Sequence, residues 1–206
     1  MLTKEEIKII DLFRGDLLKD YTIREIMKKT GKKSYNWTFK AIKKLNKCGI
    51  INFKKKGHSN VSSPNLNNIL TLVYLSLLEE LNINSKKLPN KNISELIDSI
   101  PLSYFTFIIA GSYATGKAGK GSDLDAVILI EDGISAKKIL TILKNKGELM
   151  TPEVHPYVFT KSEFLQMLLN DEENYGKMIY KNRLIAFGAE NYYLILRQAI
   201  KNGFKG

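Results

Sequence analysis

The sequence predicts an α+β protein of two modules: a small basic one of helices and a short hairpin, then a larger one in which helices back a mixed sheet. Three observations carry that expectation. The 206 residues are 44% hydrophobic with one Cys, which suits packed cores and excludes a disulfide scaffold or a disordered chain. Charge is divided unevenly: residues 1–63 hold 16 Lys/Arg against 6 Asp/Glu, net +10, whereas 64–206 hold 16 against 15, net +1. Finally, apolar spacing is helical at first and changes to two short, mostly apolar runs, Phe105–Ala110 and Ala126–Ile130, joined by a glycine-rich stretch.

In order along the chain, Thr3 and Glu6 make a capping box, and Ile7, Ile10 and Phe13 give a helical stripe over about 4–14. Thr22 caps a second helix, Ile23–Thr30, that stops at Gly31. A third runs from near Ser34 through Trp37, Ala41, Ile42 and Leu45 to Gly49. Ile50–Phe53 reads as a strand, Lys54–Ser59 as a turn, and Val61 as the return. Between Ile26 and Leu78 stand eleven basic residues and no acidic one. A lysine-rich composition does not by itself remove Glu, so an anionic partner is expected. Cys48 is expected to be a small core residue.

The T-x-x-E-I-x-x-x-T-G turn from Thr22 and the K-x-x-x-C-G-I-I close from Lys44 make residues 1–64 resemble a winged helix-turn-helix. The resemblance implies DNA binding. Lys32, Lys33, Tyr35, Asn36 and Lys40 stand at the entry and outer face of its recognition helix, where they would meet base edges, and Lys54, Lys55 and Lys56 would offer a wing to phosphates. Dimerisation and protein docking are the other uses of such modules. Residues 65–92 form a linker. Its helix, Asn65–Asn82, is apolar on more than one side through Leu66, Ile69, Leu70, Val73, Leu77 and Leu81, which predicts burial between modules or against a second copy in a homodimer. A polar break, Ser85–Asn92, and a short helix, Ile93–Ile100, follow.

Residues 93–206 hold the chemistry. An apolar strand runs into Gly111-Ser112, a glycine-rich connection follows, and Asp123-Leu124-Asp125 opens a second apolar strand. Residues two apart on a strand share a face, so the two carboxylates reach one metal centre. Gly111 permits close backbone approach to a phosphate, Ser112 offers a hydroxyl, and the residues after it can present amides at a helix start. Loop and carboxylates thus address two halves of one ligand, a nucleoside triphosphate chelating Mg²⁺.

Ala110-Gly111-Ser112, a ten-residue spacer and Asp123-Leu124-Asp125-Ala126 resemble the signature of the DNA polymerase beta-like nucleotidyltransferase superfamily, in the form of its minimal archaeal and bacterial members. Members often carry a basic residue where Thr115 stands, which leaves Lys117 and Lys120 as the nearest cations for the phosphates. The resemblance implies transfer of a nucleoside monophosphate from a triphosphate such as ATP to an acceptor hydroxyl, and a third carboxylate on a later strand. Glu153, in the extended segment 149–159 after an amphipathic helix at 134–146, is the residue chosen for it. Asp123 and Asp125 would hold the nucleotide's Mg²⁺, Glu153 a second one, and Gly111-Ser112 the leaving phosphates.

Farther on, Ser162 is expected to cap a helix and Leu184–Ile200 to form a longer one whose Tyr192-Tyr193 pair packs inward. Lys177, Lys181 and Arg183 are candidates to reach the triphosphate. The rival reading is a DNA-binding regulator, or an antitoxin-like protein, whose second domain senses a nucleotide or binds a partner protein. No stretch reaches the roughly 18 unbroken apolar residues of a membrane span, and MLTKEEIKII has acids where a signal peptide would be basic and apolar, so a cytoplasmic protein is expected.

Overall fold

Helix α1 (Lys4–Gly15) begins where its capping box dictates: the Thr3 amide donates to Glu6 Oε2 at 2.7 Å and the Glu6 amide donates to Thr3 Oγ1 at 3.3 Å. The same device, Thr22 with Glu25, starts α2 (Ile23–Thr30), directly after a two-residue strand β1 (Tyr21–Thr22) that the spacing does not predict. Ser34 caps α3 (Tyr35–Lys47). Ile9, Ile10 and Phe13 of α1, Ile26 of α2, and Ala41, Ile42 and Leu45 of α3 are buried. Beside these helices lies an antiparallel sheet in the order β1-β3-β2, formed by β2 (Ile51–Lys56) and β3 (Ser59–Pro64) with β1. Lys54–Lys56 are therefore strand residues rather than turn residues. Their pairing continues to Lys56 opposite Ser59, and only Gly57-His58 turn the chain. Cys48 is exposed, contrary to expectation, because it is the C-cap residue of α3, past the last buried turn at Leu45.

The computed structural model describes residues 2–206, and the chain divides into two compact units between Leu78 and Glu79. That division falls inside α4 (Ile69–Asn84), within the span read as linker. The helix starts four residues later than the apolar spacing suggests. The Asn65 side chain donates to the Gly49 carbonyl at 2.8 Å, and that of Asn68 to the Cys48 carbonyl at 3.2 Å, which holds 65–68 in a turn. Leu72, Leu75 and Leu78 are buried, while Ile69, Leu70, Val73, Leu77 and Leu81 remain exposed.

The second unit continues with α5 (Asn90–Ser99), β4 (Phe105–Ile109), α6 (Gly111–Thr115), β5 (Leu124–Ile130), α7 (Ala136–Gly147), β6 (Val154–Thr160), α8 (Lys161–Leu169), α9 (Tyr175–Lys181), β7 (Leu184–Phe187) and α10 (Ala189–Lys201). Its mixed sheet runs β6-β5-β4-β7; β5 and β6 are parallel, with α7 as their crossover, and the other pairs are antiparallel. Leu124, Ala126, Ile128 and Ile130 share one core with Phe107, Ile109, Leu96 of α5 and Leu143 of α7. The alternate residues Asp125, Val127 and Leu129 point to the other face, where α8 contacts β5 and β6 and α10 contacts β4.

Two sequence expectations fail here for local reasons. The run from Leu184 is not one helix: β7 pairs with β4, and Gly188, at φ +69°, turns the chain where a Cβ would collide with the Phe105 carbonyl oxygen. Thr160, not Ser162, caps α8, with Glu163 completing the box, and Ser162 instead donates from its amide and hydroxyl to Asp132 at 3.0 and 2.7 Å. Tyr192 and Tyr193 are buried, as expected. The Tyr193 hydroxyl donates to Glu79 Oε1 at 2.6 Å, and Arg183 lies 3.6 Å from the same oxygen. Among the described residues no helix is long and apolar enough to cross a membrane.

Candidate active site

Asp125 is the first carboxylate inside β5, and backbone contacts on both sides fix it. The Ala110 amide donates to the Asp125 carbonyl at 3.0 Å, and the Leu124 amide donates to the Glu153 carbonyl at 2.7 Å. Gly111, separated from the end of β4 by Ala110, has φ +61°, and a Cβ there would collide with Asp125 Oδ2. The glycine thus serves the carboxylate as much as any phosphate: only a residue without a side chain lets Asp125 lie against the start of α6. Asp123 stands one residue before the strand, half-exposed, on the same side as Asp125.

The parallel register pairs Leu124 with Val154 and Asp125 with His155. By continuation, Glu153 lies beside Asp123, just before β6. It shares their face, but its side chain is 73% exposed. His155 sits between the acids, with Nδ1 3.8 Å from Asp123 Oδ2 and Nε2 3.5 Å from Glu153 Oε1. The register makes His155 the direct neighbour of Asp125. Burial pushes the Asp125 carboxyl above its usual range, while His155 pulls it down and Asp123 pushes it up again.

Ser112 lies in the first turn of α6, and the Thr115 hydroxyl turns back onto the Gly111 and Ser112 carbonyls at 3.2 and 3.1 Å. Lys117 and Lys120 are exposed on the loop from α6 to β5, which the Ser122 hydroxyl steadies by accepting from the Gly119 amide at 2.8 Å. The three later cations are engaged elsewhere. Arg183 is buried against Glu79, Lys177 donates to the Asp171 carbonyl at 3.2 Å, and Lys181 pairs with Glu173 at 2.7 Å.

The donor set fits one hard divalent cation. Asp123 and Asp125 supply oxygens only, and burial, with a smaller push from Asp123, raises the Asp125 carboxyl, so a cation beside it would offset the cost of its charge. Among the described residues no group of three or more His, Cys, Asp or Glu is arranged around one ion position. Mg²⁺ takes one or two carboxylates and completes its shell with water and substrate phosphates, so Asp123 and Asp125 are the residues that could hold it.

In the first unit, Lys33 is exposed just before α3, Tyr35, Asn36 and Lys40 are exposed on it, and Lys54 and Lys55 on β2. Lys32 and Lys56 already have partners: Lys32 is 2.6 Å from Glu5 and over the Trp37 ring, and Lys56 is 2.9 Å from Asp20. Tyr35 stacks on Phe39 at 6.4 Å, and Phe39 meets Phe53 of β2 edge-on at 6.2 Å. Beside them opens a cleft of about 390 Å³ lined by Arg24, Tyr35, His58 and Asn60, none of which the sequence marks except Tyr35.

Residues 93–181 match the family model described as "Nucleotidyltransferase domain". The match supports the nucleotidyltransferase superfamily for this unit and nucleoside monophosphate transfer as its general chemistry. No curated protein and no solved structure matches the chain.

Proposed function

We propose that the protein is a Mg²⁺-dependent nucleotidyltransferase that moves a nucleoside monophosphate from a triphosphate such as ATP to an acceptor hydroxyl, and that its basic N-terminal unit is a winged helix-turn-helix that binds DNA. The observation that carries the first half is Asp125 seated against Gly111 beside Asp123, in the unit that matches the nucleotidyltransferase family. Asp123 and Asp125 would hold the nucleotide's Mg²⁺, and Glu153, next to Asp123 at the same edge, would contribute to a second. Magnesium, when bound, neutralises the phosphates and acidifies the acceptor hydroxyl. The chain's own part is positioning: Gly111 and Ser112 receive the leaving phosphates, Lys117 and Lys120 add positive charge, and His155 orients Glu153. The acceptor oxygen bonds to the α-phosphorus, the bond to the bridging oxygen breaks, and pyrophosphate leaves while the hydroxyl proton passes to solvent.

DNA binding is supported by the net charge of +10 over 1–63 and by the exposed Lys33 before α3, Tyr35, Asn36 and Lys40 of α3, and Lys54 and Lys55 of β2. The exposed stripe Leu70, Val73, Leu77 and Leu81 supports a homodimer through α4. His155 directly opposite Asp125, where a carboxylate would strengthen a metal site, favours one alternative: a regulator or antitoxin-like protein whose second unit senses a nucleotide or binds a partner protein.

Incubation with nucleoside triphosphates labelled at the α- or the γ-phosphate, plus cell extract, separates the two. The enzyme reading expects α-label on a macromolecule and γ-label in pyrophosphate. Nucleotide binding with no label transferred would replace it with the sensing reading.

A further inference from the structure

Along the strand that carries His155, the next two side chains on the same face are aromatic. Asp125 pairs with His155, Val127 with Tyr157 and Leu129 with Phe159. Tyr157 lies two residues beyond His155, about 7 Å along the strand, roughly the reach of one ribose. Although its ring is large and apolar, it is 38% exposed. Beneath it stands Tyr175, with ring centroids 5.0 Å apart, and Phe159 lies 6.2 Å from Tyr175. Tyr175 is rigidly placed as the first residue of α9, whose cap Asn174 accepts from the Lys177 amide at 3.2 Å and donates to the Met167 carbonyl at 2.7 Å. The register sets Tyr157 opposite Val127, two residues along β5 from Asp125 and on the same face of the sheet.

We infer that Tyr157, backed by Tyr175 and Phe159, is the shelf on which the base of the bound nucleotide stacks. The inference rests on the nucleotidyltransferase reading and adds the subsite for the other end of the substrate. Phosphates at Gly111-Ser112 and the carboxylate pair leave the nucleoside to extend along one face of the sheet. Towards β6 that face offers an exposed ring of the size a nucleobase covers. Stacking is tolerant of base identity, since every base has a π-face.

Isothermal titration with Ca²⁺ in place of Mg²⁺, so that no transfer occurs, tests this on the full chain. ATP and inorganic tripolyphosphate are titrated into wild type, Tyr157→Ala and Tyr157→Phe. The shelf predicts that Tyr157→Ala weakens ATP about tenfold, that Tyr157→Phe stays within about twofold of wild type because the ring remains, and that tripolyphosphate is unaffected throughout. Intact tripolyphosphate binding also certifies the fold of each variant. Tyr175→Leu, which removes the support, is expected to weaken ATP and spare tripolyphosphate in the same way. Equal ATP affinity in wild type and Tyr157→Ala overturns the shelf while leaving the phosphate site standing. Loss of tripolyphosphate together with ATP also overturns it, because the variant would then act through the carboxylate end. A wild-type protein that binds neither ligand overturns the nucleotide reading itself.

Discussion

Asp125 concentrates the physics of the second unit in one side chain. Its raised carboxyl means that the folded chain binds the proton more tightly than the unfolded one, for which 3.8 is the ordinary value. That contribution to stability is present below pH 3.8 and is lost as pH rises through the higher folded-state value. Metal-free Asp125→Asn is therefore expected to melt at the same temperature as wild type or higher at neutral pH, with the gap closing in acid. Thermal melts at several pH values in chelator check it. The same variant is expected to lose nucleotidyl transfer by about 100-fold or more, the order seen when one charge-stabilising group is removed from an active site. Glu153→Gln separates the roles at the edge. Nucleotide affinity is expected to hold while turnover falls, whereas Glu148→Gln, at the C-cap of α7 and away from β6, changes neither. Full turnover in Glu153→Gln would remove the second metal from the mechanism.

At the scale of elements, what the sequence made legible and what it did not have separate causes. The helices with polar caps, α1, α2 and α3, are readable because Thr3, Thr22 and Ser34 mark the first residue chemically. The Asp-Leu-Asp strand is readable because alternation and the apolar run coincide there. β7 is hidden because Leu184–Phe187 runs without a polar break into the apolar residues of α10, and only the packing of Gly188 on Phe105 separates them. His155 and Tyr157 go unmarked because their meaning lies in the register against β5, a pairing across the α7 crossover that spacing does not encode. Arg183 stands among the candidates for the phosphates for the same reason: its partner, Glu79, is far away in sequence. That buried pair carries its own prediction. Glu79→Ala, which removes both the buried carboxylate beside Arg183 and the acceptor of the Tyr193 hydroxyl, is expected to destabilise the second unit by about 3–5 kcal/mol, measured by urea unfolding. In β2, replacing Lys54 and Lys55 with Ala is expected to flatten the salt dependence of DNA binding by about 0.9 per lost phosphate contact on log–log axes. Lys56→Ala should matter less, because Asp20 already holds it.

For the whole molecule, the proposed DNA binding and the proposed α4 dimer would work together. A two-fold dimer through Leu70, Val73, Leu77 and Leu81 would present two basic units to one duplex, the usual geometry for helix-turn-helix readers of paired half-sites. Light scattering is expected to give twice the 23.4 kDa chain mass, and Val73→Glu with Leu77→Glu to return it to one. A monomeric wild type would leave the stripe without this partner. The claim on which the rest depends is that Asp123, Asp125 and the Gly111-Ser112 turn form one nucleotide and metal site. A crystal soaked with Mn²⁺ and a triphosphate analogue that cannot be cleaved between its α- and β-phosphates tests it most directly, through the anomalous signal of the metal. The account predicts a Mn²⁺ peak between the Asp123 and Asp125 carboxylates, with phosphate density at the Gly111 and Ser112 amides. Nucleotide bound elsewhere, or a carboxylate pair that takes no metal in the presence of bound nucleotide, would contradict it.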